Sequence, residues 1–427
     1  MKKSLFALAA LGVFASAAQA QSSVTLYGIL DTAVGTVSNQ YGIDPTFPAS
    51  VNPYSATKAT TSTTGMFNGG IQDSRWGLRG SEDLGGGLKA NFQLESGLNL
   101  PTGQLNSAAG ALVAANQGGN TANTVNNAAN SSLDGQLFNR TAWVGLSDSK
   151  LGEIRVGKTY NFIYDTVVAF DPVQAAQLFS PLGFSGTVGG GGGASEKTRL
   201  DNSVTYKNKI GPVTVGAQYQ FGTGINGSNT AGSSYGFMLG YETGPFAIQA
   251  NYFNAVDALT AGYSATPNDV ALTSQNLSTY MVAAKYKITP EVTVKAGYES
   301  IAVTAPTDVL TAAMIPSYFG YTTGAVAQAS SAYTKNVNVY WIGGDYQITS
   351  ALNLAVGYYD VATPSYSTTK AGDISTVSAL LDYSFSKRTD VYAGLAYNMY
   401  NGDYYSVSNP TIASTNSIYA VGIRHKF

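Results

Sequence analysis

Apolar and polar side chains alternate along residues 74–95, SRWGLRGSEDLGGGLKANFQLE, in two runs separated by a turn. In the first run Arg75 and Arg79 share one parity, whereas Trp76 and Leu78 share the other. In the second run Lys, Asn, Gln and Glu alternate with Leu, Ala, Phe and Leu. Because successive side chains of a strand point to opposite faces, this pattern predicts a hairpin with one charged face and one apolar face.

Later segments repeat the alternation, and several have one clean apolar parity that ends in tyrosine. These segments are 213–219, 246–252, 292–298, 352–358 and 391–397. Tyrosine at the end of an apolar row is typical of a strand that meets a membrane interface. Residues 336–346 show no clean parity, and we interpret them as a strand from their position between a loop and a turn.

Connections between these segments alternate between short turns and long polar stretches. The short ones are 147–152, 207–212, 243–245, 289–291, 349–351 and 386–389. The long ones are 38–67, 99–135, 160–197, 222–234, 255–276, 304–334, 363–373 and 401–415. Short turns at one end and long loops at the other are typical of a single-chain transmembrane β-barrel, and counting the segments between them gives about sixteen strands.

Composition favours the same class over a large soluble β-sandwich or solenoid. Only 11% of the 427 residues are charged although 44% are hydrophobic, with 48 glycines and 29 tyrosines. No apolar run in the body of the chain approaches the roughly 20 residues that a membrane-spanning helix needs. An unpaired backbone amide in hydrocarbon costs several kcal/mol, so we expect the first strand, 23–37, to pair with the last, 416–427.

Residues 1–20 have the pattern of a secretory signal peptide. Lys2 and Lys3 precede an apolar run, and Ala18-Gln19-Ala20 forms an A-x-A cleavage site. We therefore expect export to the periplasm and one mature domain over 21–427. Loss of the two lysines reduces the 23 basic residues to 21, against 25 acidic ones, which argues against a nucleic-acid partner. The chain has no cysteine, so the exported fold has to hold without disulfides.

Six segments resemble the general diffusion porins of Gram-negative bacteria, in the branch found in Neisseria, Bordetella and Burkholderia. They run from the first predicted strand to the last and are SVTLYG (23–28), the hairpin 74–95, FNRTAWVGLSDSKLGEIRVG (138–157), RLDNSVTY (199–206), YSFSKRT (383–389) and GIRHKF (422–427). The resemblance implies a 16-stranded homotrimeric barrel in the outer membrane, surrounded by lipid and lipopolysaccharide. It implies passive transport of ions and small hydrophilic solutes through a water-filled channel, without a cofactor.

The resemblance also implies an assembly signal and an inward third loop. A chain that ends on Phe427, with Tyr419 and other apolar residues at alternate positions before it, is similar to the signal read by the barrel assembly machinery. The inward loop maps to 160–197, whose apolar and aromatic residues would suit a loop packed against the barrel wall. The glycine run 189–193 would let this loop return to the wall.

In related porins, arginines on one wall of the constriction face carboxylates. The residues that match this arrangement are Arg75, Glu95, Arg140 and Arg199, with Asp165, Asp171 and Glu196 as candidate loop carboxylates. Arg140 shares parity with apolar residues, which would place it on the lipid-facing side. A β-bulge or an early strand start would let its side chain point into the lumen instead. A surplus of arginine at the narrow point would favour anions weakly.

Three other functions compete with general diffusion. One is a structural or adhesive barrel, because the long loops 38–67 and 99–135 could bind partners. An enzyme is disfavoured because the only histidine is His425, on the apolar parity near the C-terminus, and because metal catalysis lacks ligands. A substrate-specific channel for sugars or anions is the serious alternative, since Tyr358, Tyr359, Tyr397 and Tyr400 could form a surface along which sugars slide. Linear conductance in salt would favour the general channel, and saturation by one sugar would favour the specific one.

Overall fold

The hairpin with alternating side chains forms as its pattern predicts, in the computed structural model. Gly77 lies opposite Glu95 and Arg79 opposite Gln93, so the polar side chains share one face. Leu78 lies opposite Leu94 on the other face. The structure describes residues 23–41, 60–105, 125–126, 137–182, 199–222, 230, 232–256, 259–263, 270–274, 276–304, 335–363, 372–402 and 413–427.

These residues form a closed antiparallel barrel of sixteen strands, in which β2 and β3 lie end to end along β1 and together count as one strand. In chain order the first elements are β1 (Ser23–Tyr41), β2 (Thr60–Asn68), β3 (Arg75–Gly85), β4 (Leu88–Asn99), β5 (Gln104–Leu105), β6 (Val125–Asn126), β7 (Thr141–Asp148), β8 (Gly152–Tyr160), α1 (Phe162–Phe170), β9 (Arg199–Ile210) and β10 (Val213–Gln220). The remaining elements are β11 (Ser234–Thr243), β12 (Phe246–Ala255), β13 (Leu259–Tyr263), β14 (Val270–Ser274), β15 (Asn276–Lys287), β16 (Val292–Thr304), β17 (Lys335–Gln347), β18 (Leu352–Thr363), β19 (Gly372–Ser384), β20 (Thr389–Gly402) and β21 (Ala413–Lys426).

The first and last strands close the barrel, as the cost of an unpaired edge in hydrocarbon requires. Strand β1 pairs with β21 from Ile29 opposite Lys426 to Tyr41 opposite Ala413. The backbone groups of Gly28 and Phe427 exchange two further hydrogen bonds, each 3.1 Å long. The outward row of β21 includes Val421, which is 59% exposed, as expected for a lipid-facing side chain.

All six predicted short turns join neighbouring strands, but some predicted loops are wrong at their edges. Strand β1 runs to Tyr41 and β2 begins at Thr60, both inside the loop predicted at 38–67. Hydrogen bonds between side-chain hydroxyls of the two strands support this extension. The hydroxyl oxygens of Thr36 and Thr64 are 2.8 Å apart, and those of Ser38 and Ser62 are 2.6 Å apart. Polar composition had suggested a loop, whereas strand residues beyond the membrane need no apolar face.

Short strands also occur inside two other predicted loops. Strands β5 and β6 lie within 99–135, and β13 and β14 lie within 255–276. Strand β13 pairs with both β14 and β6, so these two loops contact each other. The signal segment 1–20, the glycine run 189–193 and Glu196 lie outside the described residues.

Strand β17 lacks a clean parity because both of its faces contact apolar surroundings. Tyr340 and Ile342 point outward and are exposed, whereas Val339 and Trp341 point inward and are buried. The inward pair packs in the cluster of buried side chains that includes Ile163, Val167 and Phe170 of helix α1. The interior of the barrel is therefore partly filled by a loop rather than by water alone. No helix in the described ranges is long and apolar enough to span a membrane.

Candidate constriction site

Residues 161–182, which we call the inward loop, leave the end of β8 and follow the inside of the barrel wall. The side chain of Asn161 begins helix α1 by accepting a 3.0 Å hydrogen bond from the Ile163 amide. One face of the helix is buried and includes Val167 and Phe170, whereas Val168 on another face is 43% exposed. The apolar residues in this segment therefore serve to pack the loop against the wall, as their occurrence in a polar loop predicts.

Polar groups of six strands hold the inward loop at successive points. The donors to loop atoms are Gln218 on Asn161, Gln249 and Asn251 on Thr166, Trp341 on Phe170, Lys295 and Tyr359 on Asp171, and Ser378 on Phe179. These donors lie on β10, β12, β16, β17, β18 and β19, so the loop passes along most of the barrel circumference. None of these donors lies on β1, β3, β4, β7 or β8, so we infer that the open part of the lumen is on that side.

Asp171 is one of these anchors. It is fully buried and accepts hydrogen bonds of 2.5 Å from the Tyr359 hydroxyl and 2.5 Å from the Ala175 amide. Burial raises the pKa of this carboxyl above its usual value. The structure therefore does not bring Asp171 to the predicted arginines. Asp165, by contrast, lies 3.6 Å from the Lys207 ammonium of β9, and both side chains are partly exposed to the lumen.

Arg140 is the centre of a charged cluster on the open side of the lumen. Its Nε donates to Glu95 Oε1 at 2.7 Å, and its two terminal nitrogens donate to Asp73 and to the Tyr160 hydroxyl, each at 2.9 Å. The guanidinium is almost fully buried. Arg75 approaches the second oxygen of Glu95 at 3.6 Å, so one carboxylate serves two arginines.

The position of Arg140 explains why its side chain points inward although it shares parity with apolar, outward residues. Strand β7 begins at Thr141, directly after Arg140, whose backbone amide donates to the Glu95 carbonyl at 3.1 Å. Arg140 therefore precedes the regular strand and does not obey its alternation, and its side chain points inward beside Glu95.

Arg199 joins the same cluster through an aromatic ring. Its guanidinium lies 5.1 Å from the centre of the Tyr160 ring, which also stacks on Tyr164 of α1 at 4.9 Å. Arg199 forms no ion pair with a described residue. Across the cluster, Arg75, Arg140 and Arg199 face the carboxylates of Asp73 and Glu95, which leaves a surplus of one positive charge.

Sequence reasoning missed four members of this cluster, Tyr27, Asp73, Gln93 and Tyr160. The Tyr160 hydroxyl donates to Glu95 at 3.1 Å. Tyr27 donates to Glu95 at 3.0 Å and accepts from Gln93 at 2.6 Å, and Asp73 binds Arg140. The sequence weakly indicates a lumen position for Tyr27 and Gln93, because both lie on the polar parity of their strands. It gives no such indication for Asp73, which lies in an irregular segment between β2 and β3.

A closed barrel with an apolar outer face and a charged interior narrowed by a loop defines a membrane channel. The chain belongs to the Gram-negative porin family, whose profile matches residues 7–403. It is 30% identical to an outer membrane porin of Bordetella pertussis over the whole of both chains. It is also 30% identical to outer membrane porin protein 32 of Delftia acidovorans, over 63% of this chain and 64% of the relative.

Solved structures of similar fold include a porin and another outer membrane protein. The anion-selective porin from Comamonas acidovorans superimposes with a TM-score of 0.64 at 20% identity, covering 95% of this chain and all of that one. The outer membrane protein OmpT of Vibrio cholerae gives 0.58 at 15% identity, over 95% of this chain and 98% of that one. The protein is thus an outer membrane porin, and its relatives are channels rather than enzymes.

Proposed function

We propose that the protein is a general diffusion channel for ions and small hydrophilic solutes, with a weak preference for anions. The observation that carries this proposal is the surplus positive charge of the cluster around Arg140, on the side of the lumen that the inward loop leaves open. A charge at the narrowest point acts on every permeating ion, whereas charges on distant loops are screened beyond about 10 Å at 0.1 M salt. The name of the Comamonas acidovorans porin, which describes it as anion-selective, supports the same preference.

The constriction in this proposal is formed by Arg75, Glu95, Arg140 and Arg199 on the wall and by Asp165 on the loop. Arg75 and Arg199 supply the field that ions experience. Arg140 is neutralised by Asp73 and Glu95 and holds the cluster together. Asp171 has no part in the proposed constriction, because its carboxylate is bound to the wall behind the loop.

The test is the reversal potential of single channels in a potassium chloride gradient across a planar bilayer. Wild type is expected to favour chloride, and Arg75→Ala is expected to shift the potential towards potassium. Arg388→Ala is the matched control, because it removes the same charge from an exposed turn at the end of the barrel. A wild-type channel that favours potassium, or equal shifts in both variants, would contradict the proposed role of the cluster.

A sugar-specific channel finds less support. Tyr358 and Tyr397 point outward and are exposed on the lipid-facing surface, whereas Tyr359 is buried under the inward loop. None of these three rings offers a face to the lumen along which a sugar could slide, and the side chain of Tyr400 lies outside what the structure describes. We therefore expect conductance to rise linearly with salt and not to saturate with one sugar.

We also propose that three copies associate through the outer face of β1, β3, β4 and β7. Tyrosines end the outward rows of β12, β15, β16, β18 and β20, but β3, β4 and β7 contain no tyrosine. Leu26, Leu78, Leu94 and Ala142 instead lie in one row across this face. The face carries Trp76 and Phe92 but lacks the row of outward tyrosines that meets the membrane interface on the other strands, which fits contact with another copy.

The oligomeric state in detergent tests this contact. Val144→Gln places an amide on the proposed contact face, and Val282→Gln makes the same change on the outward face of β15. We expect the first variant to dissociate at a lower temperature than wild type and the second to remain trimeric. A monomeric wild type, or equal effects of the two changes, would refute the assignment.

A further inference from the structure

The segment 69–74, which we call the strand break, separates β2 from β3. Asn68 lies opposite Thr32, and Arg75 lies opposite Ile29, so only two residues of β1 face the six residues of the break. Six residues cannot pair with two, and the excess has to leave the plane of the sheet. The contacts of the break are with the inward loop and with lumen side chains, so it projects towards the lumen.

Asp31 of β1 fixes the shape of the strand break. Its carboxylate is fully buried and accepts from three consecutive backbone amides, those of Gly70 at 3.0 Å, Ile71 at 3.2 Å and Gln72 at 2.7 Å. The hydroxyl of Tyr392 on β20 donates to the same carboxylate. The backbone of Asp31 also exchanges two hydrogen bonds with the Ser74 hydroxyl.

One end of the strand break binds the inward loop. The carbonyl of Gly70 accepts from the Leu178 amide at 3.0 Å, and the carbonyl of Ile71 accepts from the Gln177 amide at 3.1 Å. The neighbouring Phe179 is buried edge-on against the Tyr392 ring, with 6.4 Å between centres. The loop thus meets the break near the end of its described path.

The other end of the strand break binds the arginine cluster. The carboxylate of Asp73 pairs with Arg140 at 2.9 Å, and the carbonyl of Asp73 accepts from Arg75 at 3.1 Å. The same six residues therefore contact both sides of the constriction, the loop on one side and the charged wall on the other.

We propose that Asp31 is a positioning residue that sets the distance between the inward loop and the wall arginines through the strand break. Asp31 is buried behind the break and touches no permeating ion. The break packs closely on β20, because a Cβ on Gly70 would lie 2.2 Å from the Tyr392 hydroxyl oxygen. This inference rests on the proposed conduction only for its electrical readout.

Asp31→Asn is the direct test. One carboxylate oxygen accepts from Ile71 and Gln72, and the other accepts from Gly70 and Tyr392. If the asparagine amide nitrogen faces Ile71 and Gln72, both of those bonds are lost; if it faces Gly70 and Tyr392, the bond from the Gly70 amide is lost and the Tyr392 hydroxyl has to reverse from donor to acceptor. We expect wild type to show one conductance level per barrel and the variant to show several. Tyr392→Phe, which removes one donor, should give the same change to a smaller degree.

Asp390→Asn is the matched control. Asp390 is also a buried inward carboxylate, on β20, but it pairs with Arg424 and does not contact the strand break. We expect it to alter selectivity through charge while keeping one conductance level. Several levels in this control as well would show that loss of any buried carboxylate is enough, and would overturn the proposal.

A chemical readout makes the inference independent of conduction. The chain has no cysteine, so the double variant Ile71→Cys and Gln177→Cys introduces one pair across the break and the loop. We expect rapid disulfide formation on mild oxidation, slower formation when Asp31→Asn is added, and recovery of one conductance level once the pair is oxidised. Unchanged rates of disulfide formation together with unchanged conductance levels would refute the role of Asp31.

If Asp31→Asn does not fold, the Tyr392→Phe variant decides. Unchanged rates of disulfide formation and unchanged conductance levels in that variant would refute the inference. A wild type that does not conduct would refute the channel alone.

Discussion

Glu95→Gln is the substitution whose electrical effect the cluster geometry predicts best. The Glu95 carboxylate accepts from Arg140 at 2.7 Å, lies 3.6 Å from Arg75 and is almost fully buried. An amide of the same shape keeps an acceptor for Arg140 but removes the negative charge. The surplus of the cluster would then rise from one positive charge to two, so the preference for anions should increase.

Coulomb's law gives the size of this effect. A unit charge acts on a monovalent ion with about 1 kcal/mol at a separation of about 4 Å in water, and with about half of that at about 8 Å. Because about 1.4 kcal/mol corresponds to a factor of ten, the local chloride concentration should rise about twofold to fivefold. The local potassium concentration should fall by a similar factor.

The assay is the chloride-to-potassium permeability ratio from reversal potentials at low and high salt. The ratio should rise in Glu95→Gln at 0.1 M salt, where the Debye length is about 10 Å, and approach wild type near 1 M, where it is about 3 Å. Glu291→Gln makes the same chemical change in an exposed turn and should have no effect. A ratio that falls, or a shift that persists at high salt, would refute the electrostatic reasoning.

Two predictions concern stability and assembly. Tyr359→Phe removes the hydroxyl that donates to the buried carboxylate of Asp171, so the barrel should lose about 1.5 to 3 kcal/mol against unfolding by guanidinium; an unchanged midpoint would mean that the loop does not depend on this bond. Phe427→Ala should lower the yield of folded barrel in the outer membrane, measured by heat-dependent mobility on gels, and an unchanged yield would exclude Phe427 as an assembly signal.

The charged cluster could be predicted only in part from the sequence. Arg75 and Glu95 stand on the polar parity of regular strands, and period-two alternation is enough to place them inside. Arg140 and Asp73 lie outside regular strands, where no periodicity applies. Asp171 looked like a lumen carboxylate in a loop, but whether a loop side chain faces water or the wall depends on how the loop packs.

The sequence by itself determined the barrel, its closure and the outward face of nearly every strand. These features follow from local rules, because a strand alternates its side chains and hydrocarbon forbids unpaired backbone groups. Only the tertiary structure decided what fills the interior: the path of the inward loop, the apolar inner face of β17 and the strand break held by Asp31. These features depend on contacts between segments far apart in the chain, such as Asp31 with Tyr392, and no local pattern records such a contact.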